Sequence, residues 1–526
     1  MSFFRSQFLQ SAHATLYSAT GDTDPSVLSA PVTPISLTRQ TQLTNRTELS
    51  FLVMGTIEQP SWVETRSYQQ QAIRRWLDAE AQGILHMATG TGKTVTSLLA
   101  ATRLAETAGD RLLLVIAVPY QHLVDQWAAD VRDFGVQPVL AYQSRSQWQP
   151  RLERELLEFN RGVRDVVVVV TTHKTLASAP TQRTLGRVTD QRALLIADEV
   201  HHVGAPYLQQ GLSAVFQFRL GLSATPQRWY DEEGTRTLTE YFGDVVYTYD
   251  LKQAIENGSL CEYYYIPHIV EFDDEEMDEY MRLTAKIGRL VAKSGEDGLG
   301  SGLEENPALQ RALFKRARLI GTASAKLDVL VDLFSRESTP HHSLVYCSDG
   351  STGVGPDAGK RHVDAVTTRL RRECDLRVNR FTARESQAER EGLLGAFESG
   401  EIEVLTAIRC LDEGVDVPAT RTAYLLASTS NPRQYVQRRG RILRTHRNKK
   451  FAVIHDFVTV PDTSRHPELL SKSEYSAERT LIRKELERVS TFTAAARNHP
   501  DAEVDGVPTT DGSLQSLRRR YDLLSS

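Results

Sequence analysis

Gly90, Gly92, Lys93 and Thr94 fall in the run ATGTGKT, which directly follows the apolar stretch GILHM and directly precedes the helix-compatible VTSLLAATRLAE. Glycines at such positions let backbone N–H groups come close to a polyanion, and a helix N-terminus adds favourable partial charge. Lys93 then reaches the β and γ oxygens of a nucleoside triphosphate, and the Thr94 hydroxyl ligates magnesium. The expected cradle is thus Thr89, Gly90, Thr91, Gly92, Lys93 and Thr94. Where the general pattern begins with glycine, this chain has Met87. A functionless Gly-Thr turn looks the same in isolation, but a strand before it and a helix after it are the context a phosphate loop needs. The run GVGPDAGKR at 353–361 lacks both the hydroxyl residue after Lys360 and a correctly spaced glycine, and is expected to be a flexible loop.

The apolar ALLIA runs directly into DEVHH, which puts Asp198 and Glu199 at the carboxyl edge of a sheet, where doubly wound folds bind nucleotide. One carboxylate suits a metal and the other suits water. Asp198 is expected to hold the magnesium shell, while Glu199 orients and deprotonates the water that attacks the γ-phosphate. An Asp-Glu pair alone is ordinarily a solvated surface pair. The strand leading into it favours the functional reading.

These groups need a scaffold. From about Ser61, the apolar segments GILHM, LLLVIAV, DVVVVV, ALLIA and FRLGL alternate with helical sequence, which implies βαβ units and a parallel sheet covered on both faces. The alternation resumes from about Ala325 with HSLVYC, LRVNRFT, IEVLTA, RTAYLLA and KKFAVIHDF. The expectation is an α/β chain with two related lobes, at 61–227 and 325–460. A connector with a helical insertion, broken by the Gly-rich 294–303, occupies 228–324. Residues 1–60 form a small β-rich appendage. Residues 461–526 supply a docked helix, with Tyr475, Ala477, Leu481, Ile482, Leu486, Val489 and Phe492 at largely helical spacing, and a tail that is loose from Asn498. The SLRRRYDLL run is expected to be a solvated helix face.

The chain has 526 residues, 40% hydrophobic and 25% charged, enough to bury substantial cores in two to four domains. Its formal net charge of −5 excludes a surface coated in basic residues, so any grip on nucleic acid is local. No segment approaches the roughly 18 apolar residues of a membrane span, and the N-terminal twenty residues interrupt any signal core, so no membrane association and a cytosolic location are expected. Cys261, Cys347, Cys374 and Cys410 are scattered without metal-ligand spacing and are expected as reduced thiols.

With ATGTGKT, DEVHH, GLSATPQR and QRRGRILR in that order, residues 60–460 resemble superfamily 2 DExH helicases, in particular the branch with the XPB helicase and restriction-enzyme motors. The resemblance implies two tandem RecA-like P-loop NTPase lobes that use ATP and magnesium to pull on nucleic acid. It implies adenine recognition by Gln69 in RSYQQQAI, with Tyr68 or Arg66 nearby, and coupling of the γ-phosphate to the polymer by His201, Ser223 and Thr225. His202 carries no implied role. Gln437, Gly440, Arg441 and Arg444 match the family's Q-x-x-G-R-x-x-R pattern. A guanidinium from the opposite lobe suits the dispersed negative charge of the transferring phosphoryl group, and Arg441 and Arg444 share one helix face. Gly414 and Asp416 are implied at the nucleotide edge. The implied backbone-phosphate contacts are Pro119, Gln121, Thr171, Thr172, His173, Thr382 and Thr406, each of which also suits a cap or turn.

The chain carries no recognised nuclease signature, zinc cluster or nucleophile elbow, so strand cleavage is not assigned to it, and a nuclease or other subunits of a larger complex are the expected partners. DNA is the expected polymer, in repair, restriction or anti-phage defence. An RNA helicase and an ATP-gated clamp that never travels remain alternatives at this point.

Overall fold

The computed structural model describes residues 56–523, apart from 191, 227–230, 294–305, 337–340, 352–358, 383, 409–416, 428–431, 465–466 and 499–511. Nearly all of the expected appendage at 1–60, most of GVGPDAGKR, the Gly-rich 294–303, Cys410, Gly414 and Asp416 lie outside the described residues. The chain divides into two compact units, one ending at Asn257 and the other starting at Gly258.

The first unit is built on a seven-stranded sheet of β1 (Gln82–Met87), β2 (Leu112–Val118), β3 (Val139–Ala141), β4 (Val166–Thr172), β5 (Ala193–Ala197), β6 (Phe218–Ser223) and β7 (Val245–Tyr249). Their order is β3-β4-β2-β5-β6-β1-β7, and every pairing is parallel. Burial explains the sequences. Every residue of β2, β4 and β5 is buried, so LLLVIAV, VVVVVTT and ALLIA have no polar face to show. Helix Ser67–Asp78 leads into β1, helices Lys93–Thr107, Gln121–Asp133 and Arg145–Asn160 fill crossovers, and the core gathers Trp148, Leu152, Phe159, Phe216 and Phe242 around the strands.

The expected lobe boundary at 227 falls short. β7 pairs with β1 from Ile84↔Val245 to Met87↔Tyr249, so the sheet continues well into the expected connector. The reason is its edge position: VVYTY is mostly half-exposed or exposed and lacks the unbroken apolar run of the central strands. β3 escaped notice because it is three residues long.

The second unit carries β8 (Glu262–Glu271), β9 (Ser343–Tyr346), β10 (Val378–Phe381), β11 (Val404–Ala407), β12 (Thr422–Leu425) and β13 (Phe451–Val460), ordered β10-β11-β9-β12-β13-β8 and parallel throughout. The acidic, Tyr-rich stretch expected in the connector supplies β8, matched with β13 from Glu262↔Phe451 to Glu271↔Val460. The helical insertion is a pair, Asp274–Lys293 and Pro307–Gly321, closed over Ile287, Leu309 and Ala312. Its second helix starts with Pro307 behind Asn306, whose Oδ1 accepts from Leu309 N at 3.1 Å.

Helix Lys472–Thr493 docks as its apolar spacing requires, burying Leu481, Ile482, Leu486, Val489 and Phe492, and begins with a capping box of Ser471 and Glu474. Two expectations for the C-terminus are corrected. Asn498 is fully buried and closes a pair of hydrogen bonds on Tyr265, accepting from its N–H at 3.0 Å and donating to its carbonyl at 2.8 Å. The SLRRRYDLL run is docked: Leu517, Tyr521 and Leu523 are buried, and the Tyr521 hydroxyl donates to Glu478 at 2.6 Å. Spacing of Leu514, Leu517 and Tyr521 on helix Gly512–Arg520 and just beyond it marks an apolar face that the arginine run hides. No helix among the described residues is long and apolar enough to cross a membrane. Cys261 and Cys347 are buried free thiols and Cys374 is half-buried and free.

Candidate nucleotide site and motor elements

The phosphate loop joins β1 to helix Lys93–Thr107, and its glycines carry the bends: Gly90 has φ 89° and Gly92 φ 79°, in the left-handed region where a side chain strains the backbone. A Cβ on Gly92 would lie 3.4 Å from Gln69 Nε2. Gln69 is 5% exposed and uses both ends of its amide: its oxygen accepts from Arg66 N at 3.0 Å and its nitrogen donates to Thr96 Oγ1 at 3.1 Å. In this structure Gln69 therefore fastens helix Ser67–Asp78 to the loop's helix. Tyr68 adds a second tie, donating to Thr91 O at 2.7 Å and stacking on Tyr249 with 4.1 Å between centroids. Lys93 Nζ donates to Met87 O at 3.2 Å, and the Thr91 hydroxyl donates to Ala88 O at 2.7 Å.

At the end of β5, Asp198 Oδ1 accepts from Glu199 N at 2.9 Å and Oδ2 accepts from Trp127 Nε1 at 3.0 Å. Trp127, from helix Gln121–Asp133, is a positioning residue that sequence reasoning missed; only the helix's buried spacing marks it. Glu199 has φ 45°, a conformation non-glycine residues rarely adopt. Its carboxylate is 3.5 Å from His201 Nδ1, which also lies 3.1 Å from Ser223 Oγ. Ser223 Oγ in turn accepts from Thr225 N at 3.0 Å. The sequence-separated Glu199, His201, Ser223 and Thr225 are thus one cluster, and His201 is fully buried. His86 on β1 joins it through Nε2 to Ala224 O at 3.0 Å, and burial holds its pKa below the ordinary value.

Two observations suit a bound triphosphate with its metal. The buried hydroxyls of Thr89 and Thr225 have no hydrogen-bond partner, which is costly unless a ligand supplies one. The candidate ligands for the metal, Thr94 and Asp198, are a hydroxyl and a carboxylate, the hard oxygen donors magnesium takes alongside phosphate and water. Among the described residues no group of three or more His, Cys, Asp or Glu side chains could hold a metal by itself.

The residues implied as polymer contacts have diverse placements. Gln121 is exposed and Pro119 half-buried, at the start of helix Gln121–Asp133. The Thr171 hydroxyl is buried and donates to Ala141 O at 2.7 Å. Thr172 is the N-cap of the turn of helix His173–Leu176, accepting from Thr175 N at 3.1 Å. His173 is buried, its Nε2 3.2 Å from Ala117 O, and burial with His202 nearby pushes its pKa down to about 3. In the second unit, Thr382 donates its N–H and hydroxyl to Glu385 Oε2 at 2.6 and 2.8 Å, and the buried Thr406 hydroxyl pairs with Thr367 at 2.7 Å. The hydroxyls of Thr171, Thr382 and Thr406 are committed inside the protein.

Helix Pro432–Ile442 carries Gln437 and Arg441 but ends two residues before Arg444, which sits in a β-bridge instead. The two arginines therefore do not share one helix face, contrary to what their spacing predicts. Gln437 is buried, and Arg441 and Arg444 are half-buried. Their neighbours are structural: Arg438 donates to Ala427 O at 2.6 Å and lies over Tyr346, while Arg439 donates to Thr491 O at 2.5 Å and lies over Phe492. The Arg444 backbone is pinned by a bridge to Leu260 and by the buried Lys449, whose Nζ donates to the Arg444 carbonyl at 2.9 Å.

A phosphate loop and a strand-end carboxylate pair on a parallel sheet, followed by a second parallel α/β unit, define a P-loop nucleoside triphosphatase of two RecA-like lobes. Comparisons with known proteins narrow the class. The family described as "Type III restriction enzyme, res subunit" matches residues 63–228, and "Helicase conserved C-terminal domain" matches residues 325–446. The DNA 3'-5' translocase XPB2 of Sulfurisphaera tokodaii is 25% identical over 76% of this chain and 82% of its own. The Type I restriction enzyme EcoAI endonuclease subunit of Escherichia coli is 28% identical over 54% of this chain, which spans only 32% of that protein. Among solved structures, the ATP-dependent Type ISP restriction-modification enzyme LlaBIII bound to DNA shares the fold with a TM-score of 0.54 and 15% identity, over 88% of this chain and 32% of that one. The chain belongs to superfamily 2 of the helicases and is an ATP-hydrolysing enzyme of the helicase and translocase type.

Proposed function

We propose that this protein is an ATP-driven translocase that moves along DNA by gripping its backbone without reading bases. The observation that carries the reading is the cluster in which Glu199, held in a left-handed conformation, meets His201 and through it Ser223 at the end of β6. Glu199 is the base that takes a proton from the attacking water, and Lys93 neutralises the β and γ oxygens. Thr94 and Asp198 would hold magnesium, which when bound supplies Lewis-acid charge stabilisation. Trp127 keeps Asp198 turned towards that role by occupying one carboxylate oxygen. Gln437, Arg441 and Arg444 match the family's Q-x-x-G-R-x-x-R pattern, whose guanidinium groups suit the charge that develops on a transferred phosphoryl group.

The relatives named for DNA translocation and restriction support DNA as the track, and the EcoAI relative, one subunit of a restriction enzyme, supports work within a multi-subunit complex. The test is ATP turnover at one salt concentration with duplex DNA, single-stranded DNA and RNA, alongside displacement of a third strand from a DNA triplex. Stimulation by DNA together with triplex displacement is expected. Selective stimulation by RNA would replace the reading with an RNA helicase, and turnover that leaves the triplex intact would replace it with a clamp.

A further inference from the structure

His202, the second histidine of DEVHH, takes no part in the chemistry derived above, yet its half-buried ring is the meeting point of three others in the first unit. His201 lies 4.4 Å away between ring centroids, Tyr120 6.1 Å away edge-on, and His173 6.2 Å away. Tyr120 is the N-cap residue of helix Gln121–Asp133, and His173 opens the helical turn capped by Thr172. Both helices begin where strands β2 and β4 end, the edge at which the family resemblance implies contacts to a polymer backbone. His201 in turn contacts the Glu199 carboxylate and the Ser223 hydroxyl. His122, stacked on Tyr120 with 6° between planes, extends the ring row towards solvent.

We infer that His202 is a positioning residue that transmits occupancy of the polymer edge to Glu199, because its ring neighbours both Tyr120 and His173 at the two helix starts and His201 beside Glu199. The inference rests on the translocase reading. Its physical basis is that close-packed rings cannot absorb a displacement, so a shift of either helix start repacks His202 against His201. His201 is fully buried and held at two points, so that push reaches the carboxylate that positions water. Three rings of unlike orientation around one side chain are also more than a strand-end turn requires: Tyr120 meets it at 78°, His173 at 43° and His201 at 37°.

The experiment compares ATP turnover with and without saturating duplex DNA in the full chain, its His202→Ala, His202→Phe and Tyr120→Ala variants, and the Tyr120→Ala/His202→Ala double variant. The ratio of stimulated to unstimulated turnover is expected to fall on the order of tenfold in His202→Ala, within the range of ordinary coupling free energies, with the KM for ATP held. His202→Phe, which keeps a ring in place, retains most of the ratio. The double variant loses no more than the larger single loss, because both substitutions interrupt one path. A wild-type ratio in His202→Ala, or losses that multiply in the double variant, overturns the inference. If His202→Ala does not fold, His202→Leu fills the space without a ring and carries the same expectation. Absence of stimulation in the wild-type chain would sink the translocase reading and this inference together, whereas a stimulated wild type with an indifferent His202 sinks the inference alone.

Discussion

Glu199 holds its place against backbone strain: a φ of 45° on a glutamate costs on the order of 1–3 kcal/mol, and such outliers persist where surrounding contacts hold them. Here the hold comes from Asp198 accepting its N–H and from His201 beside its carboxylate. Glu199→Gln keeps the shape and removes the base, so turnover should fall by about 10²–10⁴ while nucleotide still binds; unchanged turnover would reassign the water-activating group. Lys93→Ala should lose nucleotide affinity as well, measured by equilibrium binding of a fluorescent ATP analogue. Trp127→Phe keeps an aromatic ring at the buried position, removes the donor to Asp198 Oδ2 and leaves a small cavity where the rest of the indole lay. Its expected signature is a rise of about 10–100-fold in the magnesium concentration needed for half-maximal turnover, beyond what the modest destabilisation from the cavity explains.

At the scale of elements, helix Lys472–Thr493 is bound to the second sheet by more than its apolar face. Arg488 is buried and donates to Asp456 on β13 at 2.8 Å and to Glu485 at 2.7 Å, while Tyr265 on β8 donates to Asp456 at 2.8 Å. Glu485 also accepts from Thr459 N at 3.0 Å, which ties the helix to the end of β13. The two carboxylates favour the charged guanidinium strongly enough to raise the Arg488 pKa despite its burial. Replacing it by methionine leaves two carboxylates buried without their cation. Arg488→Met should therefore destabilise the second unit by about 3–5 kcal/mol, read as a lower denaturant midpoint, and an unchanged midpoint would show that water replaces the guanidinium.

For the whole molecule, each unit hides a neutral histidine. Burial pushes His173 in the first unit and His362 in the second from the ordinary 6.5 down to about 3, and the His362 Nδ1 accepts from Ser348 N at 3.0 Å. Between these values only the unfolded chain binds the proton, so stability falls as pH drops below 6.5 and the loss is complete near pH 3. Each histidine contributes about 1.4 kcal/mol per pH unit over that window. From about pH 7 to about pH 5, each unit should lose on the order of 2 kcal/mol in denaturant titrations. His362→Gln should flatten the dependence for the second unit; a slope identical to wild type would show that other groups carry it.

Much of this was legible in the chain because the chemistry is local. Gly90 through Thr94 are contiguous, Asp198 and Glu199 are adjacent, and both motifs abut strands whose apolar runs announce a buried parallel sheet. Edge strands β7 and β8 were not legible, since partial exposure mixes their sequences and only pairing with β1 and β13 reveals them. The docking of Tyr521 and Asn498 was hidden for a related reason: their partners lie far away in sequence. The sequence by itself determined which groups could bind a triphosphate and where strands must flank them, because those properties follow from residue type and short-range spacing. Only the tertiary structure decided that His201 joins Glu199 to Ser223, that Trp127 orients Asp198, that Gln69 is committed to the loop's own helix and that His202 sits amid three rings. Such contacts depend on how separate strand ends converge, and no spacing along the chain encodes that distance.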